Sequence, residues 1–175
     1  MRRDADRIMT DASLRKEWES LLAKMVGQAC WSMIGVSGGS MFSLDFGEKR
    51  RREVVVRNDK LRGEQRSFVG EYRLFARMTG WRLYQTEKCL CHCNNSNAKD
   101  GPMVMGLRQP EGKRLLHFES GKSPAELMLS FSKDYRLVLS DWEGADPEDE
   151  AYTLFGEERA VTVRMNGEIG LQRRE

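Results

Sequence analysis

Alternation of apolar and other side chains in one stretch constrains the fold more than any other feature of this chain. Within residues 125–142, AELMLSFSKDYRLVLSDW, apolar residues recur at every second position on both sides of the polar segment SKDY. Side chains of a β-strand point alternately to opposite faces, so this period places one set on a buried face. Two such runs joined by a short polar link predict a β-hairpin.

Further runs show the same period and are separated by turn-forming residues. The segment 48–53 is predicted to be a charged hairpin tip, with 54–56 as its return strand. Segments 103–109 and 113–119 are predicted to pair across a turn that contains Pro and Gly. We expect about nine or ten strands in one mainly β domain, either an antiparallel two-layer sandwich or an open barrel of short hairpins.

Two dipeptides and two aromatic segments complete this prediction. Gly38-Gly39 indicates a turn after a strand at about 30–36, and Asn166-Gly167 is typical of a two-residue hairpin turn. The segment that begins at residue 68 fits a strand. A short helix over 71–78 is the alternative, because Tyr72, Phe75, Ala76 and Met78 also lie near helical spacing. Residues 81–93 are predicted to continue as extended chain.

One amphipathic helix precedes the strands. Leu14, Trp18, Leu21 and Met25 follow each other at spacings of four, three and four, which places them on one helix face. The pattern predicts a helix over about 11–27 that packs across a sheet; a helix that binds a partner is the alternative. Residues 1–10 are polar and predicted to be flexible, so the domain is expected to span 11–175.

The segments 41–56 and 126–139 can be aligned with each other. Each contains three apolar residues at alternate positions, then charged residues, then an apolar run. An internal duplication of a hairpin would explain this, and so would the alternation common to antiparallel strands. Both interpretations stay open.

Composition and length limit the cellular setting and the partners. The 29 basic and 27 acidic residues give a net charge of +2, which does not favour nucleic acid as a partner. No apolar run approaches the roughly 18 residues of a membrane span, and no apolar core of a secretion signal follows the N-terminus. The sequence therefore predicts a cytoplasmic protein with no membrane partner, and it is compatible with a homo-oligomer.

The cysteine-rich segment is the first place to look for chemistry. Cys89, Cys91 and Cys93 surround His92, and thiolates and imidazole are the ligands that zinc prefers. On an extended strand, however, these cysteines alternate with the histidine and converge poorly on one ion, so we predict buried cysteines and no metal site. No nucleophile elbow, metalloprotease motif or phosphate loop is present. The sequence thus indicates no catalytic residue and no cofactor, and it favours a role without catalysis.

Two charged clusters are candidate binding surfaces. The basic cluster consists of Lys49, Arg50, Arg51 and Arg52, which could hold phosphates or simply protect a strand edge. The acidic cluster surrounds an aromatic residue that could anchor a basic partner. Its residues are Asp141, Trp142, Glu143, Asp146, Glu148, Asp149 and Glu150. This loop lacks the residue order of a calcium-binding loop.

Three segments carry a resemblance to a known group. WSMIGVSGGSMFSLDFG, GEYRLFARMTGWRL and AELMLSFSKDYRLVLS resemble small uncharacterised bacterial domains of the immunity-protein type, which accompany toxins or travel on mobile gene cassettes. The similarity covers most of residues 28–155. The resemblance implies a non-catalytic protein that masks a partner, and it implies no active-site residue. The cysteine-rich strand and the basic cluster are not features of that group.

The sequence leaves three functional hypotheses. The first is a non-enzymatic cytoplasmic binding protein of immunity type that masks a basic, toxin-like protein. The second is a β-barrel that binds or converts a small ligand in an apolar cavity lined by Trp31, Tyr72 and Trp81. The third is a nucleic-acid-binding protein that uses the basic cluster.

Overall fold

The computed structural model of this chain describes residues 11–35, 40–57 and 61–173. In chain order its elements are α1 (Asp11–Met25), β1 (Cys30–Gly35), β2 (Phe42–Arg51), α2 (Gly63–Ser67), β3 (Phe68–Ala76), β4 (Gly80–Gln85), β5 (Lys88–His92), α3 (Pro102–Arg108), β6 (Leu115–Ser120), β7 (Leu127–Phe131), β8 (Tyr135–Ser140), β9 (Glu150–Phe155), β10 (Arg159–Arg164) and β11 (Ile169–Arg173). Six strands form one sheet in the order β1-β2-β3-β9-β10-β11, and five form another in the order β5-β4-β8-β7-β6. Every strand pair within them is antiparallel.

The two sheets enclose one apolar core. The ring centroids of Phe42 and Trp81, from opposite sheets, lie 5.0 Å apart, and Phe46 stacks on Phe131 at 6.3 Å. These aromatic side chains are at most 2% exposed. Since apolar burial is the main favourable contribution to folding, these layers stabilise the fold. The predicted mainly β, antiparallel fold is confirmed, and the two sheets do not close into a barrel in the described part of the chain.

Helix α1 packs against β3, β9 and β11 of the six-stranded sheet and is held there by a buried hydroxyl. The Trp18 indole N–H donates to the Tyr152 hydroxyl oxygen at 2.9 Å, and that hydroxyl donates to the Pro124 carbonyl at 2.5 Å. Tyr152 lies on β9 and is fully buried. A hydroxyl can donate once and accept, so one side chain here satisfies two buried polar groups from two other parts of the chain. Burial also raises the pKa of Tyr152.

Several predicted elements are confirmed. The hairpin at 125–142 is β7 and β8, joined through Lys133 and Asp134, both at positive φ. Asn166 and Gly167 lie in the turn between β10 and β11, where Gly167 adopts φ +87°. The predicted helix is α1, which ends at Met25, and the segment 68–76 is a strand.

Three predicted elements are wrong. Segment 54–56 is not a strand, because β2 continues through the predicted hairpin tip to Arg51 and pairs with β3. Segment 103–109 does not pair with β6; most of it is helix α3, with Pro102 in its first turn and Met103 and Leu107 buried. Segment 81–93 is not continuous extended chain but the hairpin of β4 and β5.

Some predictions fall on residues that the structure does not describe. These are the flexible segment 1–10, the Gly38-Gly39 turn and the last residue of the predicted first strand, Val36. The hypothesis of a duplicated hairpin stays open, although the first copy lacks the return strand on which half of the alignment depended.

Strand β1 is an edge of the six-stranded sheet, and a side chain covers part of that edge. The Met33 backbone N–H donates to Oε1 of Glu111 at 2.9 Å. The same carboxylate accepts from Gln65 at 3.3 Å and from Arg62 at 2.8 Å. Unpaired edge groups are a template for pairing with other chains, so this carboxylate occupies a donor that would otherwise be open.

A buried ion pair lies on the face of the six-stranded sheet that points away from the core. Oδ1 of Asp45 accepts from the Arg73 Nε and from the Gly70 N–H, each at 2.8 Å. The Asp45 side chain is 1% exposed and that of Arg73 is 20% exposed. Burial, and after it the nearby Arg73 guanidinium, lower the pKa of Arg52, while Asp45 acts in the opposite direction. One carboxylate thus sits beside two cationic side chains.

Strand β2 sets the distance between the two ends of the sandwich. Its first residue, Phe42, lies near the end where β8 leads into the loop 141–149, because Phe42 packs on Trp81 and Gly80 pairs with Ser140. Its last residue, Arg51, pairs with Phe68 at the other end. Ten residues at a strand's rise of about 3.3 Å make these ends roughly 30 Å apart.

Candidate functional site

The acidic loop 141–149 is fixed in place by its own carboxylates. Asp146 accepts from the Glu148 N–H and Asp149 accepts from the Asp146 N–H, each at 2.9 Å. Glu148 pairs with Arg164 at 2.6 Å and accepts from Asn166 at 3.2 Å. These bonds anchor the C-terminal half of the loop on β10 and on the turn that follows it.

The remaining members of the acidic cluster divide into paired and unpaired residues. Glu150, at the start of β9, lies 3.1 Å from the Arg77 Nε. Trp142 is half-buried, and its carbonyl accepts from the Ala145 N–H at 3.0 Å. Asp141 and Glu143 are exposed, and their carboxylates form no ion pair or hydrogen bond with the described residues. These two can therefore bind a partner without first breaking an internal bond.

Asp141 also lines a groove that the sequence did not reveal. The groove has a volume of about 420 Å³ and lies at the end of strands β6, β7 and β8. Its rim carries three carboxylates, those of Glu119, Glu126 and Asp141, and the half-buried side chains of Met128 and Val138 face it from β7 and β8. No basic residue lines it in the part of the chain that the structure describes. We call this feature the acidic groove.

The acidic groove has the chemistry of a receptor for a cationic, partly apolar group. Glu126 accepts from the Lys122 N–H at 3.1 Å. Glu119 lies 3.0 Å from His117, and the side chains of Glu119 and His117 are each more than half exposed. The carboxylates are thus near water yet adjacent to apolar surface. A lysine or arginine side chain can lay its methylenes on such a floor and its charge among the carboxylates.

The sequence did not reveal the groove because it is assembled from the strands β6, β7 and β8 and the loop residues beside them. Met128 and Val138 gave a signal, since they are apolar residues at positions where the alternation predicts the outward face. The sequence contains no signal that distinguishes Glu119 and Glu126, because glutamates occur throughout a highly charged surface.

Three residues of the basic cluster lie on β2 instead of a hairpin tip, and two of its four charges are paired with carboxylates. Lys49 forms an ion pair with Glu64 and lies 5.2 Å from the centre of the Trp31 ring. Arg50 forms an ion pair with Glu157, which raises the pKa of Arg50. Arg52 donates to the Phe68 carbonyl at 3.0 Å.

Arg51 is the exception in that cluster. It is exposed at the end of β2 and makes no ion pair with any described residue. The structure therefore does not gather the four predicted residues into one phosphate-binding surface.

The four cysteines differ sharply in environment. Cys30 and Cys91 are buried, Cys89 is exposed and Cys93 is half-buried. Helix α3 approaches β5 so closely at Gly106 that an added Cβ would collide with the Cys91 Sγ. Burial, and to a lesser degree the nearby Cys89, raise the pKa of Cys91 to about 12, and burial raises that of Cys30 further. A cluster of three metal-binding side chains is absent from the described residues.

These environments predict a graded reaction with a thiol reagent. Only the thiolate reacts, so at pH 8 we expect Cys89 to be modified first and Cys93 more slowly. Cys30 and Cys91 should react only after denaturant unfolds the chain. Mass spectrometry of timed samples would measure the order, and Cys89→Ser should remove the fastest phase. Labelling of Cys91 as fast as Cys89 in native protein would contradict the packing of α3 on β5.

Neither histidine lies beside a thiol in a cleft. The His92 Nδ1 accepts from the Asn94 N–H at 3.3 Å, and its Nε2 is 3.2 Å from the Asn95 amide nitrogen. His117 pairs with Glu119 on the surface, as described above. The local partners of His92 hold the turn after β5, which gives this histidine a structural role.

The three aromatic residues proposed to line one cavity are separated. Trp81 is 1% exposed, packed in the core, and donates to the Ser40 carbonyl at 2.6 Å. Tyr72 is also buried in the core. Trp31 lines an open depression of about 460 Å³ together with Lys49 and Glu71. Neither Tyr72 nor Trp81 lines that depression or the acidic groove.

Comparisons with known proteins leave the site to be interpreted from its own geometry. Family models, curated proteins and solved structures yield no match to this chain. Among the described residues, no helix has the length and apolar character needed to cross a membrane.

Proposed function

We propose that this protein is a non-enzymatic cytoplasmic binding protein of immunity type, which masks a basic protein partner. The partner binds at the acidic end of the sandwich, through the acidic groove and the two unpaired carboxylates Asp141 and Glu143. The observation that supports this most is the shared position of Asp141, which lines the groove and also begins the acidic loop.

Charge and shape make a protein partner suit this surface better than an inorganic cation. The groove is open and is lined by three carboxylates together with apolar side chains. Among the described residues, no three carboxylates are close enough to one another to hold a metal ion. Interfaces between proteins commonly combine an apolar centre with a charged rim. A basic partner would be attracted from a distance by the loop and then placed by the groove, because complementary charge mainly accelerates encounter.

The rigid attachment of the loop supports the same role. Hydrogen bonds within the loop and to Arg164 occupy the carboxylates of Asp146, Glu148 and Asp149. The loop therefore has a defined shape before a partner binds. Preorganisation lowers the entropy that binding must overcome. Trp142, half-buried next to Asp141, is positioned to supply an aromatic contact at the edge of the interface.

Reversal of charge at the acidic end tests the proposal. Immobilised protein would be exposed to the proteins of its host in about 50 mM salt, and the retained partner identified by mass spectrometry. We expect a basic partner that is released as salt rises. The variant Asp141→Lys/Glu143→Lys should bind that partner at least about tenfold more weakly, which corresponds to roughly 1.4 kcal/mol.

A matched control separates a local effect from a change of net charge. Glu87→Lys/Glu158→Lys changes the net charge by the same amount at two exposed residues, in turns away from the acidic groove. This control should keep the affinity of the unchanged protein within about threefold. Equal loss in both variants, or unchanged binding by Asp141→Lys/Glu143→Lys, would refute the proposed site.

A further inference from the structure

A basic, apolar segment lies at the opposite end of the sandwich from the acidic groove. Val54 and Val55 are 77% and 51% exposed, and Val54 is the most exposed large apolar residue of the described chain. The Arg52 N–H donates to the Ser67 carbonyl at 2.9 Å and the Val56 N–H to the Arg66 carbonyl at 3.1 Å. Both ends of this segment are thus tied to the chain at α2, while the valines between them stay in solvent. We call residues 51–57 the basic tip.

The basic tip carries a net charge of +2. Arg51, Arg52 and Arg57 contribute three positive charges and Glu53 one negative charge. Arg51 and Arg57 are exposed, and neither has an ion-pair partner among the described residues. Apolar residues that lie singly on a surface are normal, but here two adjacent exposed valines lie between two exposed arginines, which makes the segment a mixed apolar and basic surface suited to a contact.

The basic tip and the acidic groove are complementary in charge and in polarity. The groove offers three carboxylates around Met128 and Val138, and the tip offers arginines around two valines. The two features lie at opposite ends of the sandwich, roughly 30 Å apart by the length of β2, which carries one bulge between Phe46 and Lys49. A chain therefore cannot place its own tip in its own groove, but a second copy can.

We propose that the basic tip of one copy binds the acidic groove of the next, so that the chain self-associates head to tail. A second copy is favoured over other occupants because both complementary surfaces are present on the same chain. This inference concerns the purified chain alone and does not depend on the partner proposed above. If both hold, self-association and the basic partner compete for one groove.

The geometry determines the kind of assembly. The two surfaces of the contact are different, so a dimer keeps a free groove on one copy and a free tip on the other. Assembly then continues beyond the dimer unless the rotation closes a ring. The contact is small and charged, so it should be weak and sensitive to salt.

Sedimentation velocity of the full chain tests this. Between about 0.02 and 1 mM protein in 50 mM salt, we expect the average mass to rise past that of a dimer, and to return to that of a monomer in 500 mM salt. The tip variant Arg51→Glu/Val54→Ser and the groove variant Glu119→Lys/Asp141→Lys should each remain monomeric. All four substituted residues are exposed, and circular dichroism would verify that the variants fold.

An equal mixture of the two variants gives the sharpest test. The tip variant keeps an intact groove and the groove variant an intact tip, so the mixture should form a heterodimer and stop there. A monomeric chain at every concentration, assembly that either variant retains, or a mixture that stays monomeric would each overturn the proposal. A negative result here leaves the proposed partner site untouched, because that site is tested with the host's proteins.

Discussion

Replacement of Asp45 by alanine is expected to lower the free energy of unfolding by about 3–4 kcal/mol. The Asp45 carboxylate is 1% exposed, and one of its oxygens accepts both the Arg73 Nε and the Gly70 N–H. Without it, Arg73 is left in a mostly buried position beside Arg52, and the Gly70 N–H loses its acceptor. For a chain of this size such a loss lowers the Tm by roughly 10 °C, which urea and thermal unfolding would measure.

Two comparisons make this prediction specific. Asp141→Ala removes an exposed, unpaired carboxylate and should change stability by no more than about 0.5 kcal/mol. The double variant Asp45→Ala/Arg73→Met should lose less than the sum of its two single changes, because it removes both charges of the pair. Additive losses would mean that Asp45 and Arg73 do not stabilise each other.

Replacement of Tyr152 by phenylalanine is expected to cost about 2–3 kcal/mol. The ring would stay in the core, but the Trp18 indole N–H and the Pro124 carbonyl would both lose their partner in a buried place. Because Trp18 belongs to α1, the loss should loosen that helix first. Hydrogen exchange of α1 amides should therefore rise more than that of β7 and β8, whose contacts are unchanged.

Tyr135→Phe is the matched control for this change. Tyr135 is also buried at the sheet interface, with 7% of its surface exposed, but its hydroxyl bridges no other described residues. It should lose less than about 0.5 kcal/mol. Equal destabilisation by the two substitutions would show that the bonds of the Tyr152 hydroxyl contribute little.

The fold class could be predicted because buried strands leave a period of two in the sequence. The hairpin of β7 and β8 has it on both strands, with Leu127, Leu129 and Leu137 among the buried residues. The second half of β2 has no such signal. Its charged side chains face solvent or form ion pairs with glutamates from other parts of the chain. This half of β2 is a strand only because it pairs with β3. Tertiary pairing overrides local preference in such places.

The sequence of helix α3 contains helix signals that compete with the strand interpretation of the same segment. Met103, Gly106 and Leu107 are its buried residues, at spacings of three and one, which is helical. Pro102 before them is typical of a helix start, because proline lacks only a donor that the first turn leaves unpaired. The short apolar segment also fits a strand, and the following Pro and Gly favoured the hairpin interpretation.

The candidate site could be predicted only in part. A local excess of carboxylates identified the acidic loop, but which of them are paired depends on Arg164 and Arg77, far away in sequence. The acidic groove depends on the alignment of β6, β7 and β8, which one sequence does not specify. The sequence pattern predicts a strand at Val54 and Val55 and therefore gives no indication that both side chains are exposed.

The carboxylate of Glu111 limits where another polypeptide chain can pair with the six-stranded sheet. An incoming extended peptide that tried to lengthen the six-stranded sheet beside β1 would need the Met33 amide proton, which Glu111 already holds at 2.9 Å. The peptide would have to displace the Glu111 carboxylate, which also accepts hydrogen bonds from Arg62 and Gln65. Fibril-like growth through this margin is thereby discouraged.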